Sequence, residues 1–113
     1  MTTLRQKQSI FAFLVARLLI HINENGYEYT FGETYRPPEM AEIYAKRGVG
    51  IKDSLHTKKL AIDLNLFKDG KYLSSSDAHR LFGDWWEKQH ELCRWGGRWN
   101  DGNHYELTEK PWR

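Results

Sequence analysis

Apolar residues dominate the chain from Ile10 to Ile22, and one charged residue, Arg17, interrupts them. A membrane span needs about 20 apolar residues, so this run is too short to cross a bilayer. A secretory signal would be followed by a small-x-small cleavage pattern, which is missing here. Ser9 is a suitable N-cap residue, and Asn25-Gly26 favours a helix end. We therefore predict an amphipathic or largely buried helix from Ser9 to about Ile22.

Two later segments show at least partial alternation of apolar and polar residues, which is typical of strands. They are Tyr27–Phe31 and Leu60–Phe67. Asp69-Gly70 follows the second segment and favours a two-residue hairpin, so Lys71–Leu73 is predicted to be the returning strand. Tyr105–Leu107 is predicted to be the last strand of the chain.

Two further helices are predicted from residues that favour helix ends. Pro37-Pro38 suits the first turn of a helix that runs to Arg47, and Val49–Ser54 beyond it is predicted to be a loop. Ser74–Asp77 offers several N-caps for a helix that runs to about Cys93. Strands and helices without regular alternation favour an α+β fold, with helices packed on a small antiparallel sheet.

The length and charge of the chain limit the number of domains and the kinds of partner to be expected. A chain of 113 residues suits one domain, and we expect residues 1–113 to form a single domain. Lys and Arg number 17 against 15 Asp and Glu, a net charge of +2, which does not favour nucleic acid as a partner. We expect a monomer without stable membrane insertion. The single cysteine, Cys93, cannot form an internal disulfide.

Two groupings of histidine and carboxylate are candidate metal ligands. His56 precedes a predicted strand, and Asp63 lies in that strand seven residues later. Asp101 stands three residues before His104, and Glu106 follows. Two histidines and one carboxylate would leave a zinc position open for water, as in catalytic zinc sites. Each grouping alone also has a plain explanation, as solvated surface residues or as a polar turn.

At these positions the sequence resembles the zinc D-alanyl-D-alanine carboxypeptidases and the phage L-alanyl-D-glutamate endopeptidases (endolysins) of the hedgehog/DD-peptidase fold. That family has a Ser-x-His-x-x-Gly-x-Ala-x-Asp motif, then an acidic residue three positions before a final histidine. Here Ser54–Asp63 matches the first motif, except that Lys59 replaces the glycine. Asp101–His104 matches the second and follows Trp95-Gly96-Gly97, while Gly32–Arg36 resembles the segment that supplies the family's arginine.

The resemblance implies a zinc-dependent peptidase that hydrolyses an amide bond of the peptidoglycan stem peptide. The implied Zn²⁺ ligands are His56, Asp63 and His104. Asp101 is the implied general base, and Arg36 is implied to bind the scissile carbonyl oxygen or a substrate carboxylate. Further residues are expected to contact substrate or to support the ligands: Ser54, Trp95 and Glu106. Of these, Glu106 is expected to support His104, because alternate residues of a strand share one face.

Compact size and the missing signal favour an endolysin-like L-alanyl-D-glutamate endopeptidase of phage or prophage type. We expect it to be made in the cytoplasm without a signal peptide and to act on the cell wall after release. A D-alanyl-D-alanine carboxypeptidase and a non-catalytic metal-binding protein of the same fold are the alternatives. A metal-dependent nuclease is disfavoured because no Lys/Arg cluster lies near His104. Trp95 and Trp99, beside the glycine pair, are predicted to line a cleft.

Overall fold

Helices pack on a small antiparallel sheet in the computed structural model, which describes residues 2–48 and 54–113. In chain order the elements are α1 (Leu4–Glu24), β1 (Glu28–Phe31), α2 (Pro38–Lys46), β2 (Ala61–Lys68), β3 (Lys71–Leu73), α3 (Arg80–Glu87), β4 (Cys93–Trp95) and β5 (His104–Leu107). Single turns of 3-10 helix cover Leu55–Lys58, Asp77–His79 and Gly96–Trp99. The fold is α+β, as predicted.

The sheet brings distant parts of the chain together. Its strand order is β1-β2-β5-β4, and β3 pairs with the C-terminal end of β2. All of these pairs are antiparallel. In the register of β2 and β5, Asp63 stands directly opposite His104. Directly opposed residues have Cβ atoms only about 4.5–5.5 Å apart, so strand pairing alone places these two candidate ligands side by side.

One apolar cluster joins α1, the sheet and α3. The buried residues of α1 recur at the spacing of one helix face, and they are Phe11, Leu14, Leu18 and Ile22. Trp86 of α3 is fully buried, and its indole N–H donates to the backbone carbonyl of Glu106 at 3.0 Å. The core therefore anchors β5, the strand that begins with His104.

The N-terminal helix begins earlier than predicted. Thr3, and not Ser9, is its N-cap: the Thr3 hydroxyl accepts from the Gln6 backbone N–H at 3.1 Å, and the Gln6 side chain accepts from the Thr3 N–H at 2.8 Å. Such a capping box decides where a helix begins, whereas the apolar run marks only its buried part. Among the described residues, no helix is both long and apolar enough to cross a membrane.

The third helix is shorter than predicted. It ends at Glu87, and Cys93 lies in β4, where it pairs with Leu107 of β5. The predicted extension to Cys93 is wrong because pairing with a distant strand overrides local helix propensity. The predicted strands agree with the structure to within one residue at each end. Of the loop predicted at Val49–Ser54, only Ser54 lies among the described residues.

Lys59 stands where the motif of the resembling family has glycine. Its φ of 58° and ψ of 37° are left-handed, a conformation that costs roughly 1–2 kcal/mol for a residue with a Cβ atom. The ammonium group lies 5.2 Å from the ring centroid of Tyr35. The lysine therefore adopts the backbone conformation for which glycine is suited, at some cost in stability.

Lys59→Gly is expected to raise the free energy of unfolding by about 1 kcal/mol. Relief of the left-handed strain exceeds the entropic cost of a glycine, which is roughly 0.5–1 kcal/mol. Urea titration, monitored by tryptophan fluorescence, measures the change in the free energy of unfolding. Lys88→Gly is the matched control, because Lys88 is exposed and right-handed with φ of −85°, and it is expected to lower stability. A Lys59→Gly variant no more stable than the parent would contradict the argument.

Candidate metal centre

Three side chains meet where β2 pairs with β5. His56 lies on the 3-10 turn Leu55–Lys58, Asp63 lies within β2, and His104 begins β5. One ligand atom from each of the three lies within 4.8 Å of the others. These are the three residues that the sequence motifs indicated as metal ligands, and the structure brings them together.

Both imidazoles approach the same carboxylate oxygen. Nε2 of His56 lies 3.3 Å from Oδ1 of Asp63, and Nδ1 of His104 lies 3.2 Å from it. A tetrahedral zinc ion with bonds of about 2.0–2.1 Å holds its ligand atoms about 3.3 Å apart. The spacing and chemistry of this donor set therefore suit an ion of that size.

A second carboxylate lies against the other ring nitrogen of His104. Its Nε2 lies 2.7 Å from Oε1 of Glu106, which is buried. Oε2 of Glu106 accepts from Nε of Arg94 at 2.6 Å. An imidazole that donates to a carboxylate through Nε2 presents Nδ1 to a metal, which is a common arrangement around bound zinc. Glu106 thus contacts His104 on the side away from Asp63.

Without a metal ion, a proton neutralises the contact between His104 and Asp63. Burial lowers the pKa of His104, but its hydrogen bonds to Asp63 and Glu106 outweigh burial and raise that pKa to about 9. Burial raises the pKa of Asp63, but the hydrogen bonds with His104 and His56 lower it to about 2. The group therefore combines an ionised carboxylate with a protonated imidazole, and a bound cation would take the place of that proton.

His56 is held by its backbone and is almost fully buried, with 3% of its surface exposed. Ser54 Oγ accepts from the His56 backbone N–H at 3.2 Å, and the His56 carbonyl accepts from the Arg36 N–H at 3.1 Å. The side-chain Nδ1 is buried without a hydrogen-bond partner among the described residues. A histidine that binds a metal through Nε2 carries its hydrogen on Nδ1. In a metal-loaded site this nitrogen would therefore need a hydrogen-bond acceptor.

Asp101 lies at the rim of the group. Its Oδ2 is 4.0 Å from Nδ1 of His104, and about half of its side chain is exposed. Burial raises the pKa of its carboxyl group. The loop around it is tightly packed, since a Cβ atom on Gly96 would lie 2.2 Å from the Asp101 carbonyl oxygen. Ser76 Oγ also accepts from the Gly102 N–H at 3.0 Å, so the backbone on both sides of Asp101 is held in place.

The two tryptophans beside the glycine pair occupy different environments. Trp99 is 47% exposed, and its ring centroid lies 5.7 Å from that of His104. Trp95 is only 3% exposed, and its indole N–H donates to the Gly102 carbonyl at 2.6 Å. The prediction that Trp95 lines a cleft is therefore wrong. Trp95 is buried, and its indole supports the loop that bears Asp101. Local sequence cannot show this difference, because burial of Trp95 depends on its packing against α3.

Arg36 reaches the metal group through another residue. Its Nε and Nη2 donate to Oε1 of Glu33 at 2.9 and 2.6 Å, and its guanidinium lies 5.3 Å from the ring centroid of Tyr44. The Glu33 carbonyl accepts from the Asp63 N–H at 2.8 Å. Glu33 was not among the predicted site residues, although it belongs to the Gly32–Arg36 segment that resembles the family.

Comparison with known proteins finds similarity at the level of structure. No family model matches the sequence, and no curated protein matches it. The chain is similar to the L-Ala D-Glu endopeptidase ChiX of Serratia marcescens, with 20% identity over 86% of this chain and 79% of that one, and a TM-score of 0.68. It has the fold of that endopeptidase. The fold predicted from the resemblance is confirmed.

A second solved structure shares this fold. It is a vancomycin-resistance D,D-pentapeptidase, VanY from a VanB-type resistance cassette, in complex with Zn(II). The identity is 16% over 86% of this chain and 70% of that one, with a TM-score of 0.55. At such identities the likeness establishes a common fold, and function has to be argued from the site itself.

A polar cavity of about 320 Å³ opens beside Asp101. Its described lining consists of Tyr72, Ser74, Ser75, Ser76, His79, Asn100, Asp101, Gly102 and Asn103. None of these is a lysine or an arginine. Nδ1 of the buried His79 is paired with the Tyr105 hydroxyl at 2.9 Å. The cavity therefore offers hydroxyl and amide groups next to the candidate base, without a fixed positive charge from the described residues.

Proposed function

We propose that this chain is a zinc-dependent peptidase that hydrolyses an amide bond of the peptidoglycan stem peptide. The observation that supports this function best is the approach of two imidazole nitrogens to one oxygen of Asp63, at 3.3 and 3.2 Å. A further carboxylate, Asp101, stands beside these three groups. Two histidines and one carboxylate form a typical catalytic zinc set, and VanY, which shares the fold, is a complex with Zn(II).

In this proposal His56, Asp63 and His104 hold the ion, which when bound supplies Lewis-acid chemistry to the scissile carbonyl and to the attacking water. Asp101 takes a proton from that water and delivers it to the leaving amine. Its raised pKa and partly exposed position suit both transfers. Arg36 has five N–H donors, of which two are given to Glu33, and the others bind the substrate carbonyl oxygen or a carboxylate.

The remaining predicted residues have supporting roles in this proposal. Ser54 orients His56 by accepting its backbone N–H. Glu106 orients His104 through its carboxylate. Trp95 supports the loop that bears Asp101 through its bond to Gly102.

Within this class, the L-alanyl-D-glutamate bond is the proposed target. A carboxypeptidase that removes terminal D-alanine has to bind a free carboxylate, for which a cationic group beside the base is suited. The described lining of the cavity next to Asp101 contains no lysine or arginine. That lining favours cleavage within the stem peptide over removal of a terminal D-alanine. We therefore propose an endolysin-like enzyme that acts on the cell wall after release.

Incubation of the purified protein with peptidoglycan tests this function. We expect release of soluble fragments that chelation abolishes, and mass spectrometry is expected to find new L-alanine carboxyl ends and D-glutamate amino ends. Asp101→Ala is expected to reduce the rate by roughly 10²–10⁴-fold while it retains bound zinc. Asp77→Ala is the control, since Asp77 is an exposed carboxylate that pairs with Arg80 at the surface.

Each other outcome identifies an alternative. Free D-alanine as the product would establish the carboxypeptidase. No product from protein that holds zinc would leave a non-catalytic metal-binding protein of the same fold. Full activity of Asp101→Ala would show that another group is the base. Digestion of added DNA would instead support a nuclease.

A further inference from the structure

One ring nitrogen of His56 has no hydrogen-bond partner among the described residues. Nε2 of this ring faces Asp63, while Nδ1 is buried and unbonded among the described residues. Metal binding through Nε2 places the hydrogen on Nδ1. A buried N–H without an acceptor is unfavourable, so a loaded site needs an acceptor near this atom.

A carboxylate oxygen lies close to that nitrogen. Oε1 of Glu33 is 3.6 Å from Nδ1 of His56, which is about half an ångström beyond an ordinary N–H···O hydrogen bond. The main chain of Glu33 is fixed at this place, because its carbonyl accepts from the Asp63 N–H at 2.8 Å. Closing the gap requires an approach of only about half an ångström.

The other histidine already shows the complete arrangement. Nε2 of His104 lies 2.7 Å from Glu106, and Glu106 accepts from Arg94 at 2.6 Å. In the same way, Glu33 accepts from Arg36 at 2.6 and 2.9 Å. Each candidate zinc histidine thus faces a glutamate carboxylate, and each of these carboxylates accepts hydrogen bonds from an arginine.

From this parallel we propose that Glu33 is a positioning residue of the metal site. Its carboxylate accepts the Nδ1 hydrogen of His56 when a metal is bound at Nε2, and Arg36 holds that carboxylate in place. The role rests on the metal site of the proposed function. Such outer carboxylates orient the ring and increase the basicity of the ligand. Glu33 therefore acts on zinc affinity, without touching the substrate, and Arg36 contributes to the same site.

Zinc affinity of the metal-free protein, measured by competition with a chromophoric chelator, tests this role. Glu33→Ala is expected to weaken zinc binding by roughly 10–100-fold. Glu33→Gln keeps an acceptor oxygen without the charge and is expected to lose less. Glu106→Ala is expected to show a comparable loss through the other histidine. Glu28→Ala removes an exposed carboxylate of β1 and is expected to bind zinc like the parent.

A second readout separates positioning from folding. In the zinc-loaded parent, the Nδ1 hydrogen of His56 is expected to give a slowly exchanging imidazole resonance, which is lost in Glu33→Ala. Wild-type zinc affinity in Glu33→Ala would overturn the proposal, as would a loss confined to the melting temperature of the metal-free form. If the parent itself binds no zinc, the proposed function fails and this role of Glu33 fails with it. Zinc binding without peptidase activity overturns only the proposed function.

Discussion

Asp63→Asn is expected to abolish peptidoglycan hydrolysis and to lower zinc affinity by more than about 100-fold, beyond the roughly 10–100-fold typical of outer carboxylates. The reason is that one oxygen of Asp63 faces both His56 and His104. With its pKa held near 2, this carboxylate is ionised at any working pH. Asparagine preserves the volume but removes the charge that holds the cation. Calorimetric zinc titration and a turbidity assay of peptidoglycan measure the two effects.

The control for Asp63 is Asp84→Asn, because Asp84 is an exposed residue of α3. It is expected to retain zinc and activity. Circular dichroism of both variants without metal checks that the fold persists. A variant Asp63→Asn that binds zinc as tightly as the parent would show that Asp63 is not a ligand, and the metal centre would have to be sought elsewhere.

Gly83→Ala is expected to lower the free energy of unfolding by about 3 kcal/mol, at the upper end of ordinary overpacking effects. A Cβ atom on Gly83 would lie 2.1 Å from Cδ2 of Trp95, a distance that no relaxed structure allows. Both residues are buried, so neither the α3 backbone nor the indole ring can move aside easily. Alanine favours a helix interior over glycine by about 1 kcal/mol, which offsets only part of the clash.

Denaturant titration measures this loss, and Asp84→Ala, one position further along the same helix, is the control. It introduces the same methyl side chain at an exposed position and is expected to leave stability nearly unchanged. Activity should also fall in Gly83→Ala at temperatures where it stays folded, because Trp95 holds the Asp101 loop through Gly102. A Gly83→Ala protein as stable as the parent would show that the Trp95 ring has room to move.

Local patterns were sufficient for much of the fold. Proline and serine marked the start of α2 and the approach to α3, and Asp69-Gly70 marked the hairpin between β2 and β3. These features depend on backbone angles and caps that neighbouring residues determine. The two motifs that resemble a known family indicated the three side chains that meet in space. Their proximity follows from antiparallel pairing of the strands that bear Asp63 and His104.

Contacts between distant segments decided the rest. Cys93 lies in a strand because β5 offers it a partner, and Trp95 is buried because α3 presents Gly83 to its ring. The 3.6 Å separation of Glu33 from His56 depends on the alignment of residues 32–33 with Asp63. Residue types and their local spacing thus predicted the turns and the approximate positions of the helices and strands, and the resemblance to a known family indicated the three candidate ligands. The burial of Trp95 and the contact between Glu33 and His56 emerged only from packing, because their energies depend on neighbours that are remote in sequence.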